Sequence, residues 1–309
     1  MFRKPDFAVL LCTMCGMGVQ VFVSLFFILL FLTVGFISPS TRFFSLYNLF
    51  AYMIAGGFLN GYCTGRSMKF FGATEWRFAA GVSSVCLPLY IVAIFLIVDF
   101  IEYFESSNQI FPFTSIILFC FLWLVINVPA TYYGAHIAFT MTNDQPPLKV
   151  NTVRRVIPAQ PWYLGDKFAV LLCGFIMFTS VMSEFHFVLT SVWRSQMIGM
   201  FFLYFCNINL TLCVVSLVSI ILTYLSLQAG NWQWWWRAFW SGFSAGFWIL
   251  LYCMYHMIVV FQMDVFWSDI VFTLYSLLVS SCFGMMCAFV SVVASWIFVT
   301  LLYMQSKSD

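Results

Sequence analysis

The sequence predicts an all-α membrane protein, a bundle of about eight transmembrane helices whose N-terminus and C-terminus are both cytosolic. Only 8% of the residues are charged and 63% are hydrophobic, whereas a soluble domain carries about 25% charged residues. Long apolar runs fill most of the chain, and the few charged residues cluster in the gaps between them. This pattern places whatever the protein does within or across a lipid bilayer.

The apolar runs predict eight membrane-spanning helices. A spanning helix needs about 20 mostly apolar residues, and the runs are far longer than the alternating strands of about ten residues that build a membrane barrel. The predicted spans cover approximately residues 9–37, 43–63, 78–98, 110–139, 168–189, 197–227, 239–262 and 270–303.

The basic residues predict the orientation of these spans. With the N-terminus inside, all of the 13 Lys and Arg residues except Arg42 and Arg194 fall on the inner side. Because loops rich in Lys and Arg stay in the cytosol, we expect a cytosolic loop at 141–166 and a cytosolic tail at 304–309.

The last apolar run, 270–303, is unusually long. At 1.5 Å per residue it would extend about 51 Å, well beyond a hydrocarbon core of about 30 Å. Two spans here would move the C-terminus outside, but each half would be short and the Ser and Gly residues in the middle make a poor turn. We therefore predict one long helix, tilted or projecting from the membrane.

The eleven cysteines lie almost entirely within apolar runs, where a free cysteine behaves as a small hydrophobic residue. Cys12 and Cys15 have the spacing of a redox or metal motif, but no second Cys or His pair accompanies them. The chain contains no phosphate-binding loop, dinucleotide motif or metal-ligand cluster. No catalytic residue, cofactor, metal or nucleic-acid partner is predicted.

A tryptophan-rich block precedes the seventh predicted span. Indole rings favour the headgroup level of a bilayer, and a cytosolic Arg fits the orientation above. We interpret the block as an interfacial anchor that sets helix depth, and a site for a lipid headgroup or a partner is the alternative. The residues are Trp232, Trp234, Trp235, Trp236 and Arg237.

Glu184 and His186 lie within the fifth predicted span. An ionisable residue at the centre of a membrane helix costs at least about 2.5 kcal/mol on insertion scales, so it should face protein or water. Glu184 could couple to protons or ions, recognise a polar group of another helix, or form a protonated interhelical hydrogen bond. We interpret His256 and His136 as packed or interfacial residues.

Two further motifs lie inside predicted spans. The segment from Gly242 to Gly246 matches the G-x-S-x-G pattern of serine hydrolases, but such a nucleophile requires a strand–turn–helix context. We therefore interpret Gly242 and Gly246 as small residues that let two helices pack closely. Asn209 and Thr211 form a glycosylation sequon that should remain unmodified within the membrane.

Several local strings together resemble the nonaspanins, the transmembrane 9 superfamily. They are Asn60-Gly61-Tyr62, Arg66, 69–77, Val128-Pro129, Tyr133-Gly134, 152–158, Glu184, Ser191, Trp193, Gln196-Met197, 232–239 and Lys307-Ser308-Asp309. The resemblance extends over essentially the whole chain. Its eight predicted spans correspond to the family's last eight, and the family's N-terminal luminal domain and first span are missing.

The resemblance implies a trafficking role. A terminal Lys-x-Asp, here Lys307 and Asp309, resembles a COPI-binding tail that holds a protein in the Golgi. The family implies a multi-span Golgi or endosomal protein that assists sorting or surface delivery of client membrane proteins with glycine-rich transmembrane segments. Client helices would dock on a lipid-facing groove, with Glu184 or Asn209 supplying hydrogen bonds of about 0.6 kcal/mol each.

The principal alternative is a proton- or ion-coupled membrane transporter that uses Glu184. An intramembrane carboxylate and three histidines fit that class, while the scarcity of Pro- or Gly-broken helix pairs argues against it. An enzyme is the least favoured class, because no catalytic constellation is present.

Overall fold

The computed structural model describes residues 2–36, 44–104, 113–141, 156–194, 201–261 and 266–305. Every regular element within these ranges is helical. The α-helices are α1 (Ala8–Val34), α2 (Phe44–Ala55), α3 (Gly57–Phe70), α4 (Trp76–Phe104), α5 (Phe113–Leu122), α6 (Val128–Thr140), α7 (Asp166–Thr179), α8 (Met182–Arg194), α9 (Phe201–Gln228), α10 (Trp234–Tyr255) and α11 (Phe266–Gln305). Wider π-helical turns, Trp123–Asn127 and His256–Phe261, follow α5 and α10, and a short 3₁₀-helix spans Trp162–Leu164.

Within the described residues, six helices are long and apolar enough to cross a membrane, which confirms the predicted class of an all-α membrane protein. They are Ala8–Val34, Trp76–Phe104, Phe113–Thr140, Phe202–Gln228, Trp234–Phe261 and Phe266–Gln305. The other two predicted spans, 43–63 and 168–189, coincide with the interrupted pairs α2–α3 and α7–α8. The total of eight spans and the cytosolic termini remain predictions.

The interruption between α2 and α3 falls at Gly56, and side chains from two other helices satisfy the carbonyls that it exposes. The last carbonyls of a helix have no partner within it. Asn127 Nδ2 lies 3.2 Å from the Met53 carbonyl oxygen and 3.1 Å from that of Ile54, and Gln20 Nε2 donates to the Met53 carbonyl at 2.7 Å. The break therefore avoids unpaired backbone groups in the apolar bundle.

Pro88 lies inside α4 and is buried. Proline has no N–H, so the carbonyl four residues earlier, that of Ser84, lacks its helical donor. The indole Nε1 of Trp123 donates to this carbonyl at 2.8 Å. A hydrogen bond to the carbonyl that Pro88 leaves unpaired thus joins the π-helical turn Trp123–Asn127 to α4.

Helices α3 and α6 are packed with their backbones in direct contact. A methyl group added at Gly61 would lie 1.9 Å from the carbonyl oxygen of Thr131, and one added at Gly65 would lie 2.6 Å from that of Ala135. From the opposite side, one added at Gly134 would lie 2.2 Å from the carbonyl oxygen of Phe58. Small residues permit such close approach between membrane helices, and this pair packs beside α1 and α4.

Candidate functional site

Some predicted site residues fall where the structure gives no side-chain description. Lys307 and Asp309 lie outside the described residues, as does most of the loop 141–166. The backbone of Glu184 belongs to α8, and its side chain is outside the description. Their assigned roles therefore remain predictions.

The structure brings His186 and His256 together from different helices. Nδ1 of His186 lies 3.1 Å from Nε2 of His256, and the hydroxyl of Tyr252 lies 2.9 Å from the first nitrogen and 3.1 Å from the second. We call His186, Tyr252 and His256 the histidine cluster. The sequence indicated both histidines as intramembrane polar residues but gave no sign that they meet, because 70 positions separate them.

The histidine cluster has the chemistry of a proton-exchanging group. His256 is only 1% exposed, and its Nδ1 has no hydrogen-bond partner in the described part of the chain. It is also the first residue of a π-helical turn, a distortion that occurs frequently at functional sites. His186 is exposed. Because the three side chains lie within hydrogen-bond distance of one another, they connect the buried imidazole of His256 to the protein surface.

The remaining predicted intramembrane residues make local or packing contacts. Asn209 Nδ2 donates to the Phe205 carbonyl one turn earlier at 2.7 Å, so one of its N–H groups is used within α9. An added methyl group at Gly242 would lie 2.5 Å from the carbonyl oxygen of Cys287, and one at Gly246 would lie 2.3 Å from that of Ser280. These contacts join α10 to α11.

Part of the tryptophan block is buried within the protein. Trp234 is 1% exposed and Trp235 4% exposed, and Trp235 packs edge-on against Phe71 with ring centroids 4.9 Å apart. These two rings contact other side chains of the protein, and the role of the block as an interfacial anchor remains a prediction. Arg237 is also buried, and its NH2 group donates to the Leu164 carbonyl at 2.6 Å.

The outer rings of the block border a cavity. Trp236 and Trp240 stack with centroids 6.4 Å apart, and Trp236 Nε1 donates to the backbone carbonyl of Asp6 at 2.7 Å. Beside them lies a cavity of about 410 Å³ at the start of α10. We call it the tryptophan pocket; its polar lining comprises Asp6, Lys167, Asn231, Gln233 and Arg237.

A second cavity lies on the side of the bundle. It has a volume of about 340 Å³ and is lined mostly by apolar side chains of α1, α2, α4 and α11, together with Ser24 and Tyr275. Phe50, Ile91 and Phe95 are buried in its wall, whereas Tyr275 and Val279 are partly exposed at its opening. We call this cavity the lateral groove.

Sequence reasoning missed the buried amides that hold the centre of the bundle. Gln20, Asn60 and Asn127 are each fully buried, and Asn60 Nδ2 donates to Gln20 Oε1 at 2.8 Å. We call these three residues the amide network. Each is a polar residue in an otherwise apolar span, and that signal alone marks a residue that faces the protein interior.

Comparisons with known proteins show the family to which the chain belongs. The family model described as Endomembrane protein 70 matches residues 1–266. Transmembrane 9 superfamily member 1 of Saccharomyces cerevisiae is 33% identical over 318 residues, which cover 100% of this chain and 46% of the relative. Member 8 of Arabidopsis thaliana is 29% identical over 308 residues, covering 100% and 48%, and human member 2 is 29% identical over 309 residues, covering 100% and 46%.

The chain spans about half the length of the curated relatives it matches. No solved structure matches it. The resemblance drawn from the sequence motifs is confirmed by the family match. The chain belongs to the endomembrane protein 70 family, whose curated members are named as transmembrane 9 superfamily proteins.

Proposed function

We propose that this chain acts as a Golgi or endosomal multi-span membrane protein that assists the sorting or surface delivery of other membrane proteins. Membership of the endomembrane protein 70 family supports a trafficking role. Because the chain spans about half the length of its relatives, we assign to it the part of this function that takes place within the bilayer.

The observation that carries the proposal is the lateral groove. Membrane helices gain no hydrophobic energy by leaving lipid, so they associate through close packing and interhelical hydrogen bonds. The groove offers concave walls of Phe50, Ile91 and Phe95, and the hydroxyl of Tyr275 at its opening makes no hydrogen bond in the described part of the chain. A client helix rich in glycine can bring its backbone close enough to pack against these walls and to form a hydrogen bond with the Tyr275 hydroxyl.

If the client helix binds in the lateral groove, neither Glu184 nor Asn209 can supply the expected polar contact. Glu184 lies on α8 and Asn209 on α9, and neither helix contributes a residue to the lateral groove. We therefore assign the polar contact with the client helix to Tyr275. A single bond of about 0.6 kcal/mol makes recognition weak and dependent on the fit of the two helix surfaces.

A groove-filling substitution tests client docking. Val279→Trp would place a bulky ring in the opening of the lateral groove, and Ile297→Trp places the same ring on an exposed position of α11 that does not line it. We expect Val279→Trp to lower surface delivery of a reporter with a glycine-rich transmembrane segment by about threefold or more, since close helix contact is lost. Equal delivery with both variants would contradict the proposal.

Retention in the Golgi is the second part of the proposal. Lys307 and Asp309 end the chain with one ammonium group beside two carboxylates, the side chain and the terminus. Charged groups in such a compact pattern suit recognition by complementary charges and backbone donors of a coat protein such as COPI. The tail would return the protein after each delivery.

The histidine cluster favours a second candidate function, proton- or ion-coupled transport. Transporters place ionisable groups beside interrupted helices, and α7 and α8 are interrupted between Thr179 and Met182. In liposomes, a pH-driven flux that His256→Gln or Glu184→Gln abolishes would support this function. His136→Gln is the matched control, because His136 lies on α6 beside Trp76. Absence of any flux in the unmodified protein would exclude it.

A further inference from the structure

The tryptophan pocket contains both signs of charge. The ammonium group of Lys167 is exposed and makes no hydrogen bond or ion pair in the described residues. Arg237 is buried and directed to the Leu164 carbonyl, and the carboxylate of Asp6 belongs to a third lining residue. A ligand that fills the cavity therefore meets two cations and one carboxylate.

Uncharged donors add to the cationic side of the tryptophan pocket. Asn231 is 5% exposed, and its side-chain oxygen accepts the backbone N–H of Gln233 at 2.9 Å. Its amide nitrogen has no acceptor among the described residues. The first N–H groups of a helix lack partners within it and favour anions. Among the residues that the structure describes, no side chain caps the N-terminus of α10, and its first turn contains no acidic residue.

The position of the cavity relates it to the membrane surface. It lies at the first turn of α10, a helix apolar and long enough to span a membrane. Trp240, in the second turn of α10, also lines the cavity and is 46% exposed, and tryptophan rings near the end of a membrane helix lie at headgroup depth. A volume of about 410 Å³ is within the usual range of small-ligand sites.

We propose that the tryptophan pocket binds the phosphate-bearing headgroup of a zwitterionic phospholipid. The phosphate lies against Lys167 and the unpartnered amide of Asn231, with Arg237 supplying further positive potential. The ammonium end of the headgroup lies against Asp6 and the tryptophan rings, whose faces attract cations. This assignment does not depend on the proposed role in trafficking.

Native mass spectrometry of the purified full chain tests the proposal. The probes are dioleoylphosphatidylcholine and dioleoylglycerol, which share acyl chains but differ in the headgroup. We expect phosphatidylcholine to bind in preference to dioleoylglycerol. Lys167→Glu should weaken the binding of phosphatidylcholine about fivefold, since it replaces the free cation at the phosphate with an anion. Equal binding of both lipids, or unchanged binding by Lys167→Glu, would overturn it.

Arg77→Glu is the matched control, because Arg77 is an exposed cation over Trp76 at the start of α4, away from the tryptophan pocket. It should leave phosphatidylcholine binding unchanged, and an equal loss in both variants would reduce the effect to general surface charge. Inorganic phosphate separates the two sources of the ligand. Full displacement of the lipid by millimolar phosphate would reassign the pocket to a soluble phosphate compound and refute a lipid site.

Discussion

Replacing Gly61 with alanine should separate α3 from α6. The added methyl carbon would lie 1.9 Å from the Thr131 carbonyl oxygen, whereas a close C–H···O contact needs about 3.3 Å. The helices must therefore move apart by about 1.4 Å at this point. The contacts of Gly65 and Gly134 on the same interface would open with it, because all three lie between the same two backbones.

The energetic cost of this substitution follows from two contributions. Overpacking of a closely packed contact costs about 1–3 kcal/mol. The separation also stretches the bonds from Asn127 Nδ2 to the Met53 and Ile54 carbonyls, which are already 3.2 and 3.1 Å long; membrane hydrogen bonds average about 0.6 kcal/mol each. We expect Gly61→Ala to lower the free energy of unfolding by about 2–4 kcal/mol.

Equilibrium unfolding in mixed detergent micelles, followed by circular dichroism, would measure this loss. Leu59→Ala is the control, because Leu59 lies on the same helix and is partly exposed on the outside of the bundle. We expect the control to cost less than about 1 kcal/mol, since lipid replaces the lost contacts. A Gly61→Ala variant as stable as the unmodified chain would refute the close approach of α3 and α6.

Three further predictions address the bundle centre and the tail. Trp123→Phe removes the donor to the Ser84 carbonyl and should lower the free energy of unfolding by about 0.6–1.7 kcal/mol in the same assay; no loss would mean that another donor serves this carbonyl. Asn127→Ala removes the donor to the Ile54 carbonyl and one of the two donors to the Met53 carbonyl, and it should cost about 1–2 kcal/mol; increased protease sensitivity near the break would also report this loss. Replacing Lys307 and Asp309 with Ala should release an internally labelled protein from the Golgi in fluorescence images, and an unchanged distribution would remove the tail from the retention signal.

The fold class could be predicted because it depends on composition and run length, which the sequence displays directly. The interruption at Gly56 could not, because the apolar run 43–63 passes through it and the break depends on donors from Gln20 and Asn127. The spacing of Gly57, Gly61 and Gly65 did contain a signal. These glycines are four residues apart, as are Gly242 and Gly246, and small residues at this spacing favour close helix packing.

The candidate sites were only partly accessible from the sequence. His186 and His256 could each be recognised as polar residues in apolar surroundings, but their meeting depends on how α8 packs against α10. The tryptophan block was identified by its composition, while the burial of Trp234 and Trp235 depends on α3 and α11, which supply neighbours such as Phe70 and Trp296. Contacts between distant segments leave no trace in local periodicity.

The hydrogen bonds from Gln20 and Asn127 to the carbonyls before Gly56 also imply an order in which the bundle assembles in the membrane. Gln20 precedes Met53 by 33 residues, whereas Asn127 follows Met53 by 74. While the chain is being inserted, Gln20 is already present when Met53 enters the bilayer, but the donor for Ile54 has not yet been synthesised. We therefore expect the native break between α2 and α3 to become permanent only after the π-helical turn that contains Asn127 has entered the membrane, so that the segments from Gln20 to Asn127 assemble together.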